Sequence, residues 1–506
     1  MVQNNENIVA KVPIVQKAAF GSGHLVNNLL PGALGVFSFF LITAFGIEPA
    51  IAGLLSAIPR FFDALTDPIM GFVTDNTTSK WGRRRPYIFI GAILSAVLFV
   101  VQWQMFEENG ADYNFWYFLL FSILFIFANT IFSTPLIGMG YEMTTDTKER
   151  TRLMGFANSI GQISWMIVPL FWSLIANKDL FDSQADGVRT LSIFVGFACL
   201  IFGLMPAIFC RELDESDNQN KAQLNFQSLA INMKKLLIEM KNISKNKPFV
   251  RLCGATFLVF NGFQMVASFS YFIIVYYMYN GDYVATGNVP PFFSIIGAFL
   301  TAVMVIPIVT ALANKYGKRN AFIISTFISI FGYILKWWGY IVVDDNTFIL
   351  FKDIFIQVGV VKFSIEMPLM LLLPVPFMAF GLGGLFTLMM SMTADVCDLD
   401  ELKNGLPRRE GTFGAVYWWM VKIGQSIALA LGGLVLSIVG FDGSKAIQTT
   451  ETMNQLRIWD IVIPSITAFL AAIIMWKYPL NEKEVAVVKE ELRLKRLEKD
   501  NVNKLD

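Results

Sequence analysis

Two acidic residues stand inside an otherwise apolar stretch that runs from Pro59 and Arg60 through Phe61, Phe62, Asp63, Ala64, Leu65, Thr66 and Asp67 to Pro68. Four apart on a helix, Asp63 and Asp67 lie one above the other on a single face, with Cβ atoms about 5–6 Å apart. A single acid at the middle of a membrane-buried helix costs roughly 2.5–3.5 kcal/mol to insert. Two that also repel each other persist only with an opposite charge or a coordinating cation. Arg60, one turn before Asp63, compensates one of them, and Lys422, deep in another apolar run, can compensate the other. With the site empty, these four charges sum to zero. One reading is a structural ion-pair network. The other is a site for Na+ or H+, since hard oxygens suit Na+ and one carboxylate raises its neighbour's proton affinity. On that reading an entering cation competes with the Lys422 ammonium and shifts a balance of conformations.

The rest of the chain supplies a lipid-embedded frame for these charges. Of its 506 residues 55% are hydrophobic and 16% charged, with 47 Phe, 37 Gly and 22 Met. Soluble domains carry about 25% charged residues, so this composition describes a polytopic membrane protein. The net charge of +1 leaves no excess of cations for a nucleic-acid partner. Cys199, Cys210, Cys253 and Cys397 are far apart or within apolar runs and read as small buried hydrophobes. The polar stretch before Phe20 does not resemble a cleaved leader.

Twelve apolar runs are long enough to span a bilayer: 20–46, 49–74, 86–106, 114–142, 153–177, 189–210, 249–280, 289–313, 321–342, 368–394, 411–440 and 457–478. Pro31, Pro68, Pro135, Pro169, Pro307 and Pro374 lie inside them. With both termini in the cytoplasm, thirty of the 40 Lys and Arg fall on the inner side. The outer segments then hold Lys178, Arg189, Lys352, Lys362, Lys445 and Arg457. Arg60, Arg251, Lys336 and Lys422 lie in or at the ends of spans, and Lys336 reads as an anchor that snorkels to the surface beside Trp337 and Trp338. The expected organisation is an N-tail over 1–19, a six-helix bundle over 20–210, a linker over 211–248, a second bundle over 249–478, and a solvated, charged tail over 479–506. Leu229, Met233, Leu236, Leu237, Met240 and Ile243 predict a surface helix in the linker, and 343–367 has room for a short interfacial helix.

An internal repeat supports the division. Trp81-Gly82-Arg83-Arg84 follows the second run, and Tyr316-Gly317-Lys318-Arg319 follows the eighth. Six plus six helices with this repeat describe an all-α membrane protein of the major facilitator fold, whose substrate site lies between the halves at mid-membrane.

The run from Phe62 to Gly71 with Asp75 and Trp81-Gly82-Arg83, the stretch Ala394-Asp395-Val396-Cys397-Asp398, and Arg409-Glu410-Gly411 with Val421-Lys422-Ile423-Gly424-Gln425 together resemble the glycoside–pentoside–hexuronide:cation symporters over nearly the whole chain. That resemblance implies secondary active transport across the inner membrane by alternating access, carrying a sugar, glycoside or hexuronide with Na+ or H+. It implies no enzyme activity and no cofactor beyond the ion, no metal beyond bound Na+, and action as a monomer. It makes Asp63, Asp67, Thr130 and Ser133 cation-site candidates, and Lys422 with Arg60 the coupling charges. His24, Asn27, Ser133, Asn158, Phe386, Trp418 and Lys422 become substrate-site candidates. Several of these depart from the family pattern. Ser133 stands for a sugar-binding aspartate, His24 (the single histidine) for another, Asn158 for an arginine and Phe386 for a tryptophan. A pocket with two fewer acids tolerates a carboxylate-bearing sugar. Tyr417, Trp418 and Trp419 could stack on sugar rings, and Trp418 shares a helix face with Lys422. Asp75 with Arg83 and Arg84, and Asp395, Asp398 and Glu401 with Arg408 and Arg409, read as inner-gate latches between the halves.

Two alternatives remain at this level. The same fold could carry a lysolipid or other amphiphile. An integral enzyme or sensor is the third class, but no nucleotide loop, zinc-ligand spacing or Ser–His–Asp set is present, and no segment is long enough for a soluble sensor domain.

Overall fold

The computed structural model describes residues 11–144, 147–211, 226–352, 355–358, 361–364, 366–405 and 410–502. The chain clusters into two compact units. One runs to Ile47 and resumes from Ile58 to Lys234; the other holds Glu48–Ala57 and the chain from Lys235 onward.

The first stretch of chain folds into α1 (Ile14–Thr43), α2 (Pro49–Asp75), α3 (Arg85–Gln102), α4 (Ala111–Glu142), α5 (Thr147–Ile167), α6 (Leu170–Ala176) and α7 (Gln184–Phe209). The linker helix α8 (Phe226–Ile243) covers the expected surface periodicity. It leads to α9 (Lys247–Val266), α10 (Phe269–Phe272), α11 (Tyr283–Thr286), α12 (Val289–Leu300), α13 (Ile306–Tyr316) and α14 (Lys318–Gly339). The last helices are α15 (Leu369–Leu372), α16 (Val375–Asn404), α17 (Glu410–Ile438), α18 (Thr450–Trp476) and α19 (Glu482–Val502). Among the described residues, eleven helical stretches are long and apolar enough to cross a membrane. The 27-residue α2, which carries Arg60, Asp63 and Asp67, is also long enough to span.

Local chemistry sets the helix limits. Ser183, Asn246 and Thr449 cap α7, α9 and α18 by accepting from the backbone N–H of Asp186, Phe249 and Thr452. Pro169 separates α5 from α6 within one span. Just before Pro307 the chain widens into a π turn over Thr301–Val305. The proline ring would collide with the carbonyl four residues back, and a wider turn relieves that clash. Gly82 and Gly317 both have positive φ, 96° and 82°. The repeat is therefore a repeat of backbone shape, at a place where a side chain would be strained.

Aromatic rings fill the first core. Phe37 lies 5.1 Å from Trp103 and 6.2 Å from Phe171 between ring centroids, and Trp103 lies 4.9 Å from Phe118. In the second, Phe249 and Phe413 meet edge to face at 4.8 Å. All four cysteines are free and buried.

Two expectations need correction. The 343–367 segment holds strands rather than an interfacial helix: Ile349–Leu350 pairs with Met367–Pro368, and Phe355–Val358 with Val361–Ser364, both antiparallel. Its alternation of β-branched or aromatic residues with polar ones suits a ribbon. The charged tail is not solvated on all sides. Val485, Val488 and Leu492 recur along one face of α19 and pack on the second core, so that face is held by apolar burial.

Candidate functional site

In the first unit, α2 presents Asp63 and Asp67 to α4. Asp63 is 3% exposed. The Thr130 hydroxyl lies 3.4 Å from Asp63 Oδ1, and that of Thr134 lies 3.1 Å from Asp67 Oδ1. Both bonds join residues 67 apart in sequence. A constant offset means that the two helices run parallel here, so two threonines one turn apart face two aspartates one turn apart. Thr66 on α2 adds a third hydroxyl, 3.0 Å from that of Thr130. Arg60 NH1 stands 3.8 Å from Asp63 Oδ2. Carboxylate and hydroxyl oxygens in a half-buried to buried setting form a hard donor set that can hold a small cation or a proton. Thr66 and Thr134 were not singled out from the sequence. The signal for Thr134 was its spacing of four from Thr130, which repeats the spacing of the acids. Ser133 makes no hydrogen bond to either carboxylate among the described residues.

The proposed substrate residues fall into two groups. In the first unit, His24 packs edge to face on Phe20 at 4.7 Å between ring centroids, and its Nε2 is buried with no hydrogen-bond partner among the described residues. Asn27 is half-buried on the same helix, while Asn158 on α5 is exposed. Gly161 brings α5 against α1, where an added Cβ would sit 2.6 Å from Asn28 Nδ2. In the second unit, Phe386 on α16 and Trp418 on α17 stack nearly parallel, 16° between planes and 6.5 Å between centroids. Both are more than a third exposed, and Lys422 follows Trp418 by one turn. Tyr417 is corrected as a stacking candidate, because it is 1% exposed and belongs to the core. Asn261, buried beside Gly424, has neither amide atom hydrogen-bonded among the described residues. Nothing in its sequence context marked it.

Several of the expected latch residues hold ion pairs within their own half. Arg84 bridges Asp75 at 2.8 Å and Glu142 at 2.7 Å, and Arg83 also bonds Glu142. Lys318 meets Asp395 at 2.6 Å, with Lys489 of α19 at 3.5 Å from the same acid. Asp398 is buried close by on α16. Arg408 and Arg409 lie outside the described residues.

The intramembrane charge with the largest departure from expectation is Lys336. It is 2% exposed and ion-paired with Asp460, itself fully buried. Tyr340 donates to Asp460 Oδ2 at 3.0 Å, and Lys336 Nζ reaches Ser270 Oγ at 3.3 Å. Lys336 therefore does not snorkel. Arg457, expected in an outer segment, lies within α18 and is 5% exposed. Its guanidinium sits between Tyr277 and Trp337, 4.2 and 4.3 Å from their ring centroids.

Comparison with known proteins gives this arrangement its setting. The family model described as "MFS/sugar transport protein" matches residues 19–482. The chain belongs to that family. Within it, the matching relatives place the protein with the glycoside–pentoside–hexuronide symporters of the major facilitator superfamily. It is 24% identical over 472 residues to a glucuronide carrier protein homolog of Escherichia coli, covering 92% of each chain. It is 23% identical over 474 residues to the isoprimeverose transporter of Lactiplantibacillus pentosus, covering 94% of this chain and 90% of that one. Among solved structures it resembles a bacterial homolog of the human lysosomal transporter Spinster, inward-facing and unoccupied, with a TM-score of 0.63, 15% identity, and coverage of 92% and 98%. The fold is that of the major facilitators, and the protein is a multi-pass membrane transporter, not an enzyme.

Proposed function

We propose that the protein imports a sugar, glycoside or hexuronide in symport with Na+ or H+ bound at Asp63 and Asp67. The observation that carries this reading is the register of two threonines on α4 against two aspartates on α2. The α4 hydroxyls add neutral oxygens to the two carboxylates, beside the Arg60 guanidinium 3.8 Å from Asp63, as a coordination shell would. Lys422 takes the coupling role, by charge balance and family resemblance, and Phe386 with Trp418 offers an aromatic face suited to the axial C–H side of a sugar ring. The named substrates of two relatives, a glucuronide and isoprimeverose, support a carbohydrate and do not favour an amphiphile. The positive-inside rule supports cytoplasmic termini and an inner-membrane location, and the carrier acts as a monomer.

The test is ligand-dependent thermal stabilisation of the purified protein with neutral sugars, glycosides, uronates and lysolipids, each in Na+ or choline buffer and across pH. Binding to the folded state raises stability by RT ln(1 + [L]/Kd). A sugar or uronate whose effect grows with Na+ or with proton concentration is the expected result, and it should lose that dependence in Asp63→Asn and Lys422→Ala. Stabilisation by lysolipids alone, or sugar binding indifferent to both ions, would refute the proposal.

A further inference from the structure

The repeated turn is symmetric in backbone but not in charge. Two residues after Gly82, Arg84 is held by Asp75 and Glu142. Two residues after Gly317, Arg319 has no carboxylate within ion-pair distance among the described residues. The position matching Asp75 is Thr310. Glu482 approaches Gly317 instead. Among the described residues Arg319 Nε makes a long contact with Asn320 Oδ1, at 3.4 Å.

Its guanidinium lines a cleft of about 330 Å3 together with Tyr316, Asn320, Ile323, Ile324 and Trp476. Lys315 adds a second cation, its Nζ 5.0 Å from the Tyr316 ring centroid. The cleft's position in the bilayer follows from the helices that form it. Residue 316 ends one span, 318 begins the next and 476 ends a third. The cleft thus sits where hydrocarbon gives way to headgroups. Tyr316 and Trp476 are 48% and 71% exposed there, as interfacial belt residues are. The lining thus combines the Arg319 cation with the apolar side chains of Ile323 and Ile324.

We propose that this cleft is a binding site for an anionic phospholipid, with Arg319 receiving the phosphodiester oxygens and Ile323, Ile324 and Trp476 facing the glycerol and first acyl carbons. A planar guanidinium matches paired phosphate oxygens. A free phosphate would share the charge contact but leave the apolar wall bare.

The experiment uses the full chain in a neutral detergent. Phosphatidylglycerol, phosphatidylcholine and inorganic phosphate are titrated separately, with thermal stability as one readout. Lipid retained on the folded protein in native mass spectrometry is the other, and it does not depend on the starting stability of a variant. Phosphatidylglycerol should stabilise and be retained at least tenfold more strongly than phosphatidylcholine. Arg319→Gln should remove that preference, Arg319→Lys should keep part of it, and Lys178→Gln should leave it intact. Equal retention of the two lipids, an unchanged preference in Arg319→Gln, or stabilisation by inorganic phosphate without phosphatidylglycerol would each overturn the assignment.

Discussion

Lys336→Met tests the physics of the second unit most directly. The substitution keeps the length of the side chain and removes its charge, leaving Asp460 buried with one hydrogen bond, from Tyr340 at 3.0 Å. Two opposite unit charges about 3 Å apart attract by roughly 5–6 kcal/mol at an effective dielectric constant of 20. Breaking a buried pair by removing one partner costs about 3–5 kcal/mol. The remaining Tyr340 bond places the expectation at the lower end, about 3 kcal/mol. For a unit of a few hundred residues that lowers Tm by about 6–12 °C. Thermal unfolding can be followed with a thiol-reactive fluorophore, since all four cysteines are buried in the folded state. Asp460→Leu alone should cost a similar amount, because it strands the Lys336 ammonium. The double variant Lys336→Met with Asp460→Leu should recover most of the loss, because neither charge then needs solvation. Two results would refute the reasoning: a Lys336→Met melt that matches the wild type, or a double variant as unstable as the sum of its singles. The first would mean that Lys336 reaches water after all.

Three further outcomes are expected. Thr134→Ala should raise the cation concentration for half-maximal sugar binding about tenfold, within the range of one charge-assisted hydrogen bond, while Thr134→Ser keeps it near wild type; equal values for the three proteins would show that the hydroxyl does not orient Asp67. Glu149 is held below the usual carboxylate range mainly by its hydrogen bond from Lys17, aided by the Lys17 charge, the Val12 N–H and Arg152, against the opposing effect of burial. Its stabilising contribution should therefore be present at neutral pH and fade as pH falls below about 4.3; melts of wild type and Glu149→Gln should converge there, and a gap that stays constant with pH would contradict the assignment. Gly332→Ala should cost about 1–3 kcal/mol, since its Cβ would meet the backbone of Met378 and lie 2.8 Å from Phe377 C; Gly35→Ala, with nothing within 4 Å, should cost nothing, and a reversed order in their melting temperatures would sink the packing argument.

The features that were legible in the sequence are those whose signal is local. Asp63 and Asp67 announce themselves by spacing within one apolar run, and Gly82 and Gly317 by recurrence beside basic residues. The threonine that meets Asp67 was less visible. Nothing within α4 says that it runs parallel to α2 in a register that places position 134 opposite 67, although the matching spacing of four was present. Asp460 was illegible for a further reason. Its partner is 124 positions earlier, so Lys336 read alone looks like any lysine near a span end. At the inner turns, too, charge alone predicts pairing without naming the partner, and Glu142, Lys318 and Lys489 were not singled out as partners there. The ribbon over 349–368 was missed because a long connection at a membrane surface was expected to hold a short helix.

The paired turns also bear on descent. Beside each turn an acid lies between two cations: Glu142 takes Arg83 and Arg84, whereas Asp395 takes Lys318 and, from α19, Lys489. If the halves arose from one duplicated ancestor, the second copy has handed its second cation to a segment outside the repeat. Its own arginine was thereby released from that task. The appended helix is then part of the inheritance of the second half, and a hybrid gene built from two copies of the first half could dispense with it.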